Sequence, residues 1–346
     1  MPELRLAVVG ATGAVGPVVL EVLAERGFPA AEIGLFASAR SAGSVIRHGG
    51  RDLVVQELTE DSLAGYDLAL FSAGGSISRK YAPEAVRRGC VVVDKSNAFR
   101  MDPAVPLVVP EVNPDAVATH SGIVSNPNCS TIQLVAALKP LHDLAGLAHV
   151  TIATYQAVSG TGADAVDELR EQSGAVLRGD DVTPRVYPHQ IAFNVLPHCE
   201  TFEGDETTEE LKLVHETHKI LGDDSIGISA TCVRVPVWRG HSEAVWVETR
   251  EPLTAADARR ALAAAPGVDV VDDPDANAYP LPSAATGSDR VLVGRIRRDG
   301  SRRNGLAFWV VADNLRKGAA TNGVQIAELL VERDLVHVPR QEAAAS

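Results

Sequence analysis

The chain has 346 residues, which is enough for one large domain or for two domains of ordinary size. Hydrophobic residues make up 45% of the sequence and charged residues 22%, which is the balance of a soluble globular protein. The net charge of -13 disfavours nucleic acids and anionic membranes as partners, because both require a basic surface. If the ligands are anions, a few placed Arg and Lys side chains must reverse the field locally.

Neither the N-terminal segment nor the cysteines suggest export. The apolar run at residues 6–9 is too short for a signal peptide or a membrane span, so we expect the chain to stay in the cytoplasm. Four cysteines stand at wide, irregular spacing, which does not predict a disulfide scaffold. They are Cys90, Cys129, Cys199 and Cys232. We therefore expect one or more of them to be a free, working thiol.

The first third of the chain alternates apolar strands with helical patterns. Strands are predicted at residues 4–9, 33–37, 67–72, 91–94 and 123–125, and helices at residues 15–25, 78–88 and 113–120. This alternation predicts an α/β fold, with a Rossmann-type, doubly wound parallel sheet.

The remainder of the chain has longer runs rich in Val, Ile and Thr. Strands are predicted at residues 150–158, 226–235, 244–250, 291–297 and 306–312, and helices at residues 163–177, 206–221 and 255–264. Several of these strands follow one another with no helix between them, which predicts an α+β domain with a mixed sheet. A last helix, at residues 319–333, is long enough to pack back on the first domain.

A glycine-rich loop lies between the first predicted strand and helix. Residues 8–16 read VVGATGAVG, and glycines there let the backbone approach a pyrophosphate at the helix N-terminus. The spacing is GxxGxxG rather than GxGxxG, so a flexible strand-to-helix turn is the alternative. The predicted cofactor contacts of this loop are Gly10, Thr12, Gly13, Ala14, Val15 and Gly16.

The end of the second strand bears on which cofactor is bound. Residues 38–41 read SARS and contain no acid for the ribose hydroxyls of NAD. Arg40 and Ser41 suit a 2′-phosphate, which favours NADPH over NADH, although a lone Arg is often an ordinary solvated residue. A second glycine-rich stretch contributes Ser72 and Gly74 where a doubly wound sheet faces its cofactor.

Cys129 differs from the other cysteines in its surroundings. Residues 125–131 read SNPNCST, so this thiol follows a strand and opens an apolar helical pattern among polar neighbours. A helix N-terminus favours the reactive thiolate and offers amides to an oxyanion. A buried, inert cysteine is the usual alternative, and it fits Cys90, Cys199 and Cys232 better.

At this point the motifs resemble one family. SNPNCST, with VVGATGAVG before it and YQAVSGTG and RGHSE after it, is similar to the short bacterial form of aspartate-semialdehyde dehydrogenase over essentially the whole chain. The resemblance implies an NADP-binding Rossmann domain at residues 1–128 and a catalytic and dimerisation domain at residues 129–314. It also implies a C-terminal helix at residues 315–346 that returns to the first domain.

The resemblance implies a reaction and a set of catalytic residues. A homodimer would reduce L-aspartyl 4-phosphate to L-aspartate 4-semialdehyde with NADPH, in the biosynthesis of lysine, threonine, methionine and isoleucine. Cys129 matches the nucleophile that carries the acyl thioester, and Gln156 matches the residue that orients the substrate. His241 matches the general acid/base, since an imidazole with a pKa near 6.5 could take the thiol proton and later serve the tetrahedral intermediate. Ser159, Gly160 and Asn314 match further cofactor contacts.

Four charged residues match the family's substrate contacts. Arg100 and Lys212 match a phosphate-binding pair, Arg234 a planar fork for the α-carboxylate, and Glu209 the partner of the ammonium. By themselves these residues are ordinary. Glu209 and Lys212 stand i, i+3 on a predicted helix, where such pairs are usually solvated salt bridges.

Other functions remain as alternatives. N-acetyl-γ-glutamyl-phosphate reductase uses the same thiol and hydride chemistry, and a non-catalytic relative could keep the same fold. No metal is predicted, because residues 215–218 read HETH rather than HExxH and no paired-cysteine spacing accompanies them. The basic stretch at residues 295–303 predicts a solvated hairpin rather than a nucleic-acid patch, since strands flank it.

Overall fold

The computed structural model describes residues 4–338. The chain divides into two compact units, of which the first contains the residues up to Pro127 and those from Ala319 onward, and the second is Asn128–Gly318. Across the described part of the chain, we find no helix with the length and apolar character that a membrane crossing requires.

The first unit is built on a seven-stranded sheet, flanked by helices. Its strands are β1 Leu4–Val9, β2 Ala30–Ala37, β3 Val45–His48, β4 Arg51–Glu57, β5 Leu68–Phe71, β6 Val91–Asp94 and β7 Ile123–Ser125. The strand order is β3-β4-β2-β1-β5-β6-β7, and every neighbouring pair is parallel except β3 with β4. The helices α1 Gly16–Glu25 and α2 Gly75–Arg87 follow β1 and β5. The predicted doubly wound parallel sheet is confirmed.

The central strands of this sheet are apolar and were predicted, whereas the hairpin at its edge was not. The strands β5 and β6 are buried along their whole length. This is typical of continuous apolar strands that are covered on both faces of a sheet. The hairpin of β3 and β4 was not predicted, because β4 buries only Val55. Its turn is Gly49-Gly50, with both φ angles positive, and this dipeptide is the signal that could have revealed it. The helix expected at residues 113–120 is a short 3₁₀ segment, Pro114–Thr119.

The second unit contains a mixed sheet, as predicted. Its strands are β8 Leu147–Gln156, β9 Phe202–Glu203, β10 Glu206–Thr207, β11 Gly227–Arg234, β12 His241–Thr249, β13 Val268–Val270, β14 Val291–Asp299 and β15 Gly305–Ala312. Six of them form the order β11-β8-β12-β15-β14-β13, in which the two outer pairs are parallel and the central pairs antiparallel. Its helices are α3 Cys129–Ala145, α4 Ala163–Arg178, α5 Thr208–Leu221, α6 Ala255–Ala264 and α7 Pro282–Ala285.

One face of this sheet changes from apolar to polar along β8. Alternate side chains of the strand are buried, first Val150 and Ile152 and then Thr154 and Gln156. The apolar part packs with helices α3, α5 and α6 in one core cluster. The polar part lies at the carboxyl end of β8, where buried polar groups must find partners. This end of the sheet is where the functional side chains collect.

The last helix begins later than the sequence pattern indicated. Residues Arg316–Thr321 form a π-helical turn, and α8 Asn322–Glu332 follows it as part of the first unit. Within that unit α8 packs near α1, where Arg26 Nε lies 2.8 Å from Glu328 Oε1. The π-helical turn carries an i to i+5 bond, since the Gly318 N–H donates to the Asp313 carbonyl at 3.0 Å.

Candidate functional site

Backbone geometry explains two glycines of the VVGATGAVG loop. Gly10 has φ +82°, and a Cβ there would lie 2.8 Å from the Ser72 carbonyl oxygen. A Cβ on Gly16 would overlap the backbone of Ala11. Gly13 is less constrained, because its nearest obstacle is the Gly10 carbonyl at 3.4 Å. The loop therefore passes close to β5 and enters α1 without side chains in the way.

A cavity of about 440 Å³ lies beside this loop in the first unit. It is lined by the loop and by the ends of β2, β4 and β5, and its polar lining includes Gly10, Thr12, Gly13, Ser38 and Ser72. Among the other predicted contacts, Ala14 and Gly74 are exposed and Val15 is buried. The glycine loop, the start of a helix and an open cavity together fit the phosphates and adenosine of a dinucleotide.

The wall of this cavity carries a residue that sequence reasoning missed. Glu57 ends β4, opposite Ala37 in the register, and lines the cavity together with Ser38. It escaped notice because β4 itself was not predicted. Arg40 is exposed in a short 3₁₀ turn, and Ser41 Oγ lies 3.2 Å from Thr12 Oγ1. The cavity wall near the predicted 2′-phosphate contacts thus includes an acid, Glu57.

In the second unit, Cys129 is the first residue of α3, and its position is set by the residue before it. The Asn128 Oδ1 accepts hydrogen bonds from the N–H groups of Ser130 at 2.9 Å and Thr131 at 3.3 Å, which caps the helix. Space for the thiol depends on Gly318, because a Cβ there would lie 3.0 Å from the Cys129 Cβ. The thiol stands at a helix N-terminus with a glycine beside it.

The remaining cysteines are buried, as their apolar sequence context predicted. Burial raises the pKa of both Cys90 and Cys199 to about 12 and raises that of Cys232 further. Cys129 is the one cysteine that is partly exposed. All four cysteines lie within the described residues, so the structure leaves a single thiol suited to chemistry at neutral pH.

A buried carboxylate connects the thiol helix to Gln156. Glu209 accepts hydrogen bonds from Asn128 Nδ2 at 3.0 Å and from Gln156 Nε2 at 3.1 Å, and Lys212 Nζ lies 3.2 Å from it. Burial alone would raise the pKa of Glu209, but Lys212, the Asn128 and Gln156 bonds and Arg234 outweigh it and lower the pKa. Glu209 is therefore an ionised carboxylate inside the protein.

The Glu209–Lys212 pair differs from the solvated salt bridge that its spacing usually indicates. The side chains are only 4% and 15% exposed, and Lys212 also pairs with Glu200. The pair is positioned by α5, which starts with a capping box formed by Thr207 and Glu210. Desolvated charges of this kind need several partners, and the network supplies them.

His241 is the first residue of β12 and is completely buried. Its Nδ1 accepts a hydrogen bond from the Ala157 N–H at 3.0 Å, while its Nε2 has no hydrogen-bond partner among the described residues. Burial, helped by the nearby Arg234 charge, lowers the pKa of the imidazole to about 3. The pKa of His241 therefore lies well below the ordinary imidazole value near 6.5.

Arg234 lies at the end of β11 and reaches the same place. Its Nη1 donates to the Ala157 carbonyl at 2.8 Å, and its buried Nε has no hydrogen-bond partner within the described chain. A Cβ built on Gly160 would lie 3.1 Å from both Arg234 Nη1 and His241 Nε2. The absence of a side chain on Gly160 thus leaves room beside two buried nitrogen atoms.

Asn314 and Ser159 bond to each other and to the His241 loop. Asn314 Oδ1 accepts from the Gly240 N–H at 2.9 Å, and its Nδ2 lies 3.0 Å from Ser159 Oγ. Asp313 supports the same loop by accepting from Arg239 Nε at 2.9 Å. Asn314 was predicted as a cofactor contact, and in this structure its amide braces the residue before His241.

Arg100 lies in the first unit and is 6% exposed. Its Nε donates to the Asn126 carbonyl at 3.0 Å and its Nη2 to the Lys95 carbonyl at 2.6 Å. Among the residues that the structure describes, no group of three or more His, Cys, Asp or Glu side chains is arranged to hold a metal ion.

Comparison with known proteins gives matches over nearly the whole chain. Residues 5–120 match the family model of the semialdehyde dehydrogenase NAD binding domain, and residues 138–317 match that of the semialdehyde dehydrogenase dimerisation domain. The aspartate-semialdehyde dehydrogenase of Aquifex aeolicus is 53% identical, with 96% of this chain and 99% of that protein covered. That of Bacillus subtilis is 49% identical, with the same coverage of 96% and 99%.

Solved structures agree with the sequence matches. Aspartate semialdehyde dehydrogenase II from Vibrio cholerae, complexed with ASA, has a TM-score of 0.93 at 47% identity, covering 96% of this chain and 99% of that one. The Candida albicans enzyme with NADP has a TM-score of 0.73 at 27% identity, with 96% and 99% covered. The resemblance predicted from the motifs is confirmed, and the chain belongs to the aspartate-semialdehyde dehydrogenase family.

Proposed function

We propose that this chain catalyses the NADPH-dependent reductive dephosphorylation of L-aspartyl 4-phosphate to L-aspartate 4-semialdehyde, through an acyl thioester on Cys129. Similarity over nearly the whole chain to aspartate-semialdehyde dehydrogenases supports the activity and its place in amino-acid biosynthesis. The observation that carries the mechanism is the single partly exposed thiol, at the start of α3, beside the ionised network of Glu209. We propose a homodimer, which the match to the dimerisation-domain model supports.

The charged side chains of the second unit suit the two ends of an amino-acid substrate. Arg234 offers a planar fork to the α-carboxylate. Its Nε has no hydrogen-bond partner among the described residues. Glu209 stays ionised and can pair with the ammonium. The Coulomb attraction between two unit charges about 4 Å apart is about 4 kcal/mol at an effective dielectric near 20. A few placed charges can therefore outweigh the net negative charge of the whole chain. Lys212 is proposed to receive the phosphate, and the resemblance implies Arg100 as a further phosphate contact.

The proposed reaction begins with attack of the Cys129 thiolate on the acyl phosphate carbon. The carbon–oxygen bond to phosphate breaks, phosphate leaves with the bonding pair, and a thioester remains on the sulfur. When bound, NADPH supplies the hydride that reduces the thioester carbonyl. The resulting oxyanion on Cys129 reforms its carbonyl, expels the thiolate and releases the aldehyde. Gln156, held by Glu209, orients the substrate for both steps.

We also propose the cofactor and the cellular location. A nicotinamide cofactor follows from the family domain, and Arg40 with Ser41 favours NADPH over NADH. The exposed position of Arg40 leaves it available to a 2′-phosphate. Synthesis of lysine, threonine, methionine and isoleucine in the cytoplasm is likewise a proposal.

The ionised Glu209 disfavours the N-acetyl-γ-glutamyl-phosphate alternative. An N-acetyl group is neutral, so a desolvated carboxylate opposite it would lose its ammonium partner. A non-catalytic relative would have no need of the exposed thiol and its cap. Both alternatives can be separated from the proposal by one assay.

The test is phosphate-dependent reduction of NADP by L-aspartate semialdehyde, with N-acetylglutamate semialdehyde as the second substrate. We expect turnover with the first aldehyde only, no turnover by Cys129→Ala, and near-normal turnover by Cys90→Ala, which removes a buried thiol. Circular dichroism confirms that both variants are folded. Mass spectrometry should detect an acyl adduct on the Cys129 peptide. Normal turnover by Cys129→Ala, or preference for the N-acetyl aldehyde, would contradict the proposal.

A further inference from the structure

We propose that Glu216, on α5, is a positioning residue for Cys129: it completes the cap of α3 from outside that helix and so fixes the backbone directly before the thiol. This role rests on the proposed function, in which Cys129 is the nucleophile. Every group involved lies in the second unit.

The start of α3 lacks one half of a capping box. In a capping box the side chain of the cap residue accepts the N–H of the third helical residue, and a Glu or Gln side chain at that third position accepts the N–H of the cap residue. Helix α5 has both halves, in Thr207 and Glu210. In α3 the cap residue Asn128 supplies the first half, but the third position is Thr131. The Thr131 hydroxyl has no hydrogen-bond partner among the described residues, so it does not supply the second half.

Glu216 supplies the missing half. The Asn128 N–H donates to Glu216 Oε2 at 2.7 Å, the same length as the bond from the Thr207 N–H to Glu210 Oε2 in α5. Glu216 is 1% exposed and Asn128 is 6% exposed, so water does not compete for this bond. A buried N–H group that loses its acceptor is costly, because it gave up its hydrogen bond to water on folding. The bond therefore holds the peptide that precedes Cys129.

Two acidic residues of α5 hold Asn128 at different points. Glu216 accepts from its backbone N–H, and Glu209 accepts from its side-chain Nδ2 at 3.0 Å. The two acids stand seven residues apart, which places them on one face of α5, and this helix packs on α3. With its backbone and its amide nitrogen both held, Asn128 directs Oδ1 to the N–H groups of Ser130 and Thr131.

Helix α5 is itself anchored near both ends. Near its start the Cys232 N–H donates to Glu210 Oε1 at 2.8 Å, and near its end His218 Nε2 lies 2.7 Å from the Ile226 carbonyl oxygen. Glu216 stands between these two anchors. The sequence HETH at residues 215–218 thus has a use other than metal binding, since its acid holds the start of α3 and its last histidine holds the end of α5.

The position of the thiol at the helix start affects how easily it ionises. The N–H groups and the dipole of a helix N-terminus stabilise a thiolate, and this effect falls off within the first turn. Without the Glu216 bond, the peptide before Cys129 can turn toward another acceptor and disturb the cap. The charges of Glu209, Lys212 and Arg234 would remain in place. Loss of an acid by itself would ease ionisation of the thiol, which is opposite in sign to the effect of a disturbed cap.

The first experiment measures the thiol without turnover. Alkylation of Cys129 by iodoacetamide is followed against pH, by peptide mass spectrometry, in the wild type, Glu216→Ala and Glu216→Gln. We expect the pH midpoint to rise by about one unit in the alanine variant, which is the size of a helix-terminus effect. The glutamine variant should stay close to the wild type, because its side-chain oxygen can accept the same N–H. An unchanged or lower midpoint in Glu216→Ala, or an equal rise in both variants, would overturn the proposal.

A control variant separates positioning from a general loss of stability. Val268→Ala removes buried methyl groups from the core of the second unit, on β13 at the edge of the sheet opposite to β11. We expect this variant to unfold at a lower temperature, as Glu216→Ala does, but to keep the wild-type midpoint of alkylation. The same rise in midpoint in Val268→Ala would mean that loosening anywhere in this unit changes the thiol, and it would contradict a specific role for Glu216.

The second experiment measures turnover against pH, as phosphate-dependent reduction of NADP by L-aspartate semialdehyde. We expect kcat/KM of Glu216→Ala to be about tenfold below that of the wild type at pH 7, in line with a midpoint one unit higher. The difference should narrow as the pH rises and the thiol ionises in both proteins. A difference that stays constant at every pH would contradict the proposal. If the wild type itself does not turn over this aldehyde, the proposed function is wrong, and the alkylation midpoints alone decide the role of Glu216.

Discussion

The loop of the first unit and the thiol network of the second unit are built in opposite ways. The loop presents backbone groups at a cavity, and the absence of side chains at Gly10 and Gly16 is what lets it pass so close to its neighbours. The thiol network comprises Asn128, Gln156, Glu209 and Lys212, whose polar side chains bond to one another with Glu209 at the centre. The first site tolerates change except at a few positions, whereas the second depends on every member.

The largest expected effect comes from removing the centre of the network. Glu209→Ala would leave Lys212, Asn128 and Gln156 without a shared partner in a desolvated place, so we expect a loss of about 3 kcal/mol in the free energy of unfolding. Activity should fall by at least about 10³-fold in kcat/KM, because the ammonium contact and the orientation of Gln156 are both lost. Urea unfolding and steady-state kinetics measure the two effects. Glu203→Ala, at an exposed carboxylate on β9, should change neither.

The charge of Glu209 has a defined pH dependence. The pKa of this carboxyl is lowered in the folded protein, so its contribution to stability is present above the ordinary value of about 4.3 and is lost as the pH falls through the folded value. The stability advantage of the wild type over Glu209→Gln should therefore be full at pH 6 and shrink in acid. A difference that grows as the pH falls would mean that the carboxyl is protonated in the native state.

A smaller effect is expected in the loop, and it should depend on position. Gly10→Ala places a side chain at φ +82° against the Ser72 carbonyl, so we expect kcat/KM for NADPH to fall about 100-fold, with loss of stability. Gly74→Ala, where a Cβ meets nothing within 4 Å, should retain full stability and change only the KM for NADPH. Equal destabilisation by the two substitutions would remove the contrast between the two positions.

Asn314 was predicted as a cofactor contact, and a substitution can test whether it instead supports the loop before His241. Because its amide binds the Gly240 N–H, Asn314→Ala should lower kcat about tenfold and leave the KM for NADPH nearly unchanged. Asn194→Ala, at an exposed amide, serves as the control. A rise in the KM for NADPH at constant kcat would return Asn314 to the cofactor site.

The smallest effect concerns cofactor choice. Arg40 is exposed, so Arg40→Ala should raise the KM for NADPH about fivefold, which corresponds to about 1 kcal/mol, and leave that for NADH unchanged. Glu57→Gln removes an acid from the wall of the cavity beside the glycine-rich loop and should shift the preference toward NADPH. Equal changes for both cofactors would show that neither residue discriminates between them.

The same contrast explains how much the sequence could predict. The loop, the parallel sheet and the position of Cys129 at a helix start are local features, and periodicity with glycine spacing is enough to predict them. Glu209, Arg234 and His241 come together from α5, β11 and β12, and nothing local distinguishes them from ordinary charged residues. Family resemblance identified them.

Family resemblance did not predict the protonation states or the hydrogen-bond partners of these residues. The pKa of His241 depends on its burial and on Arg234, which no motif specifies. Asn128 was overlooked as a link between the thiol helix and Glu209, although a cap residue directly before a predicted helix was a usable signal. Glu57 was missed for a different reason, since the polar strand β4 has little of the apolar alternation on which strand prediction depends.

The π-helical turn before α8 has a consequence for insertions and deletions. A wide turn accommodates one residue more than an ordinary helical turn. Loss of a single residue from Arg316–Thr321 would advance every later position and rotate the apolar stripe of α8 by about 100°. Val324, Ile326 and Leu330, now buried, would then turn toward water. Length changes in this short segment should therefore be selected against more strongly than substitutions within it.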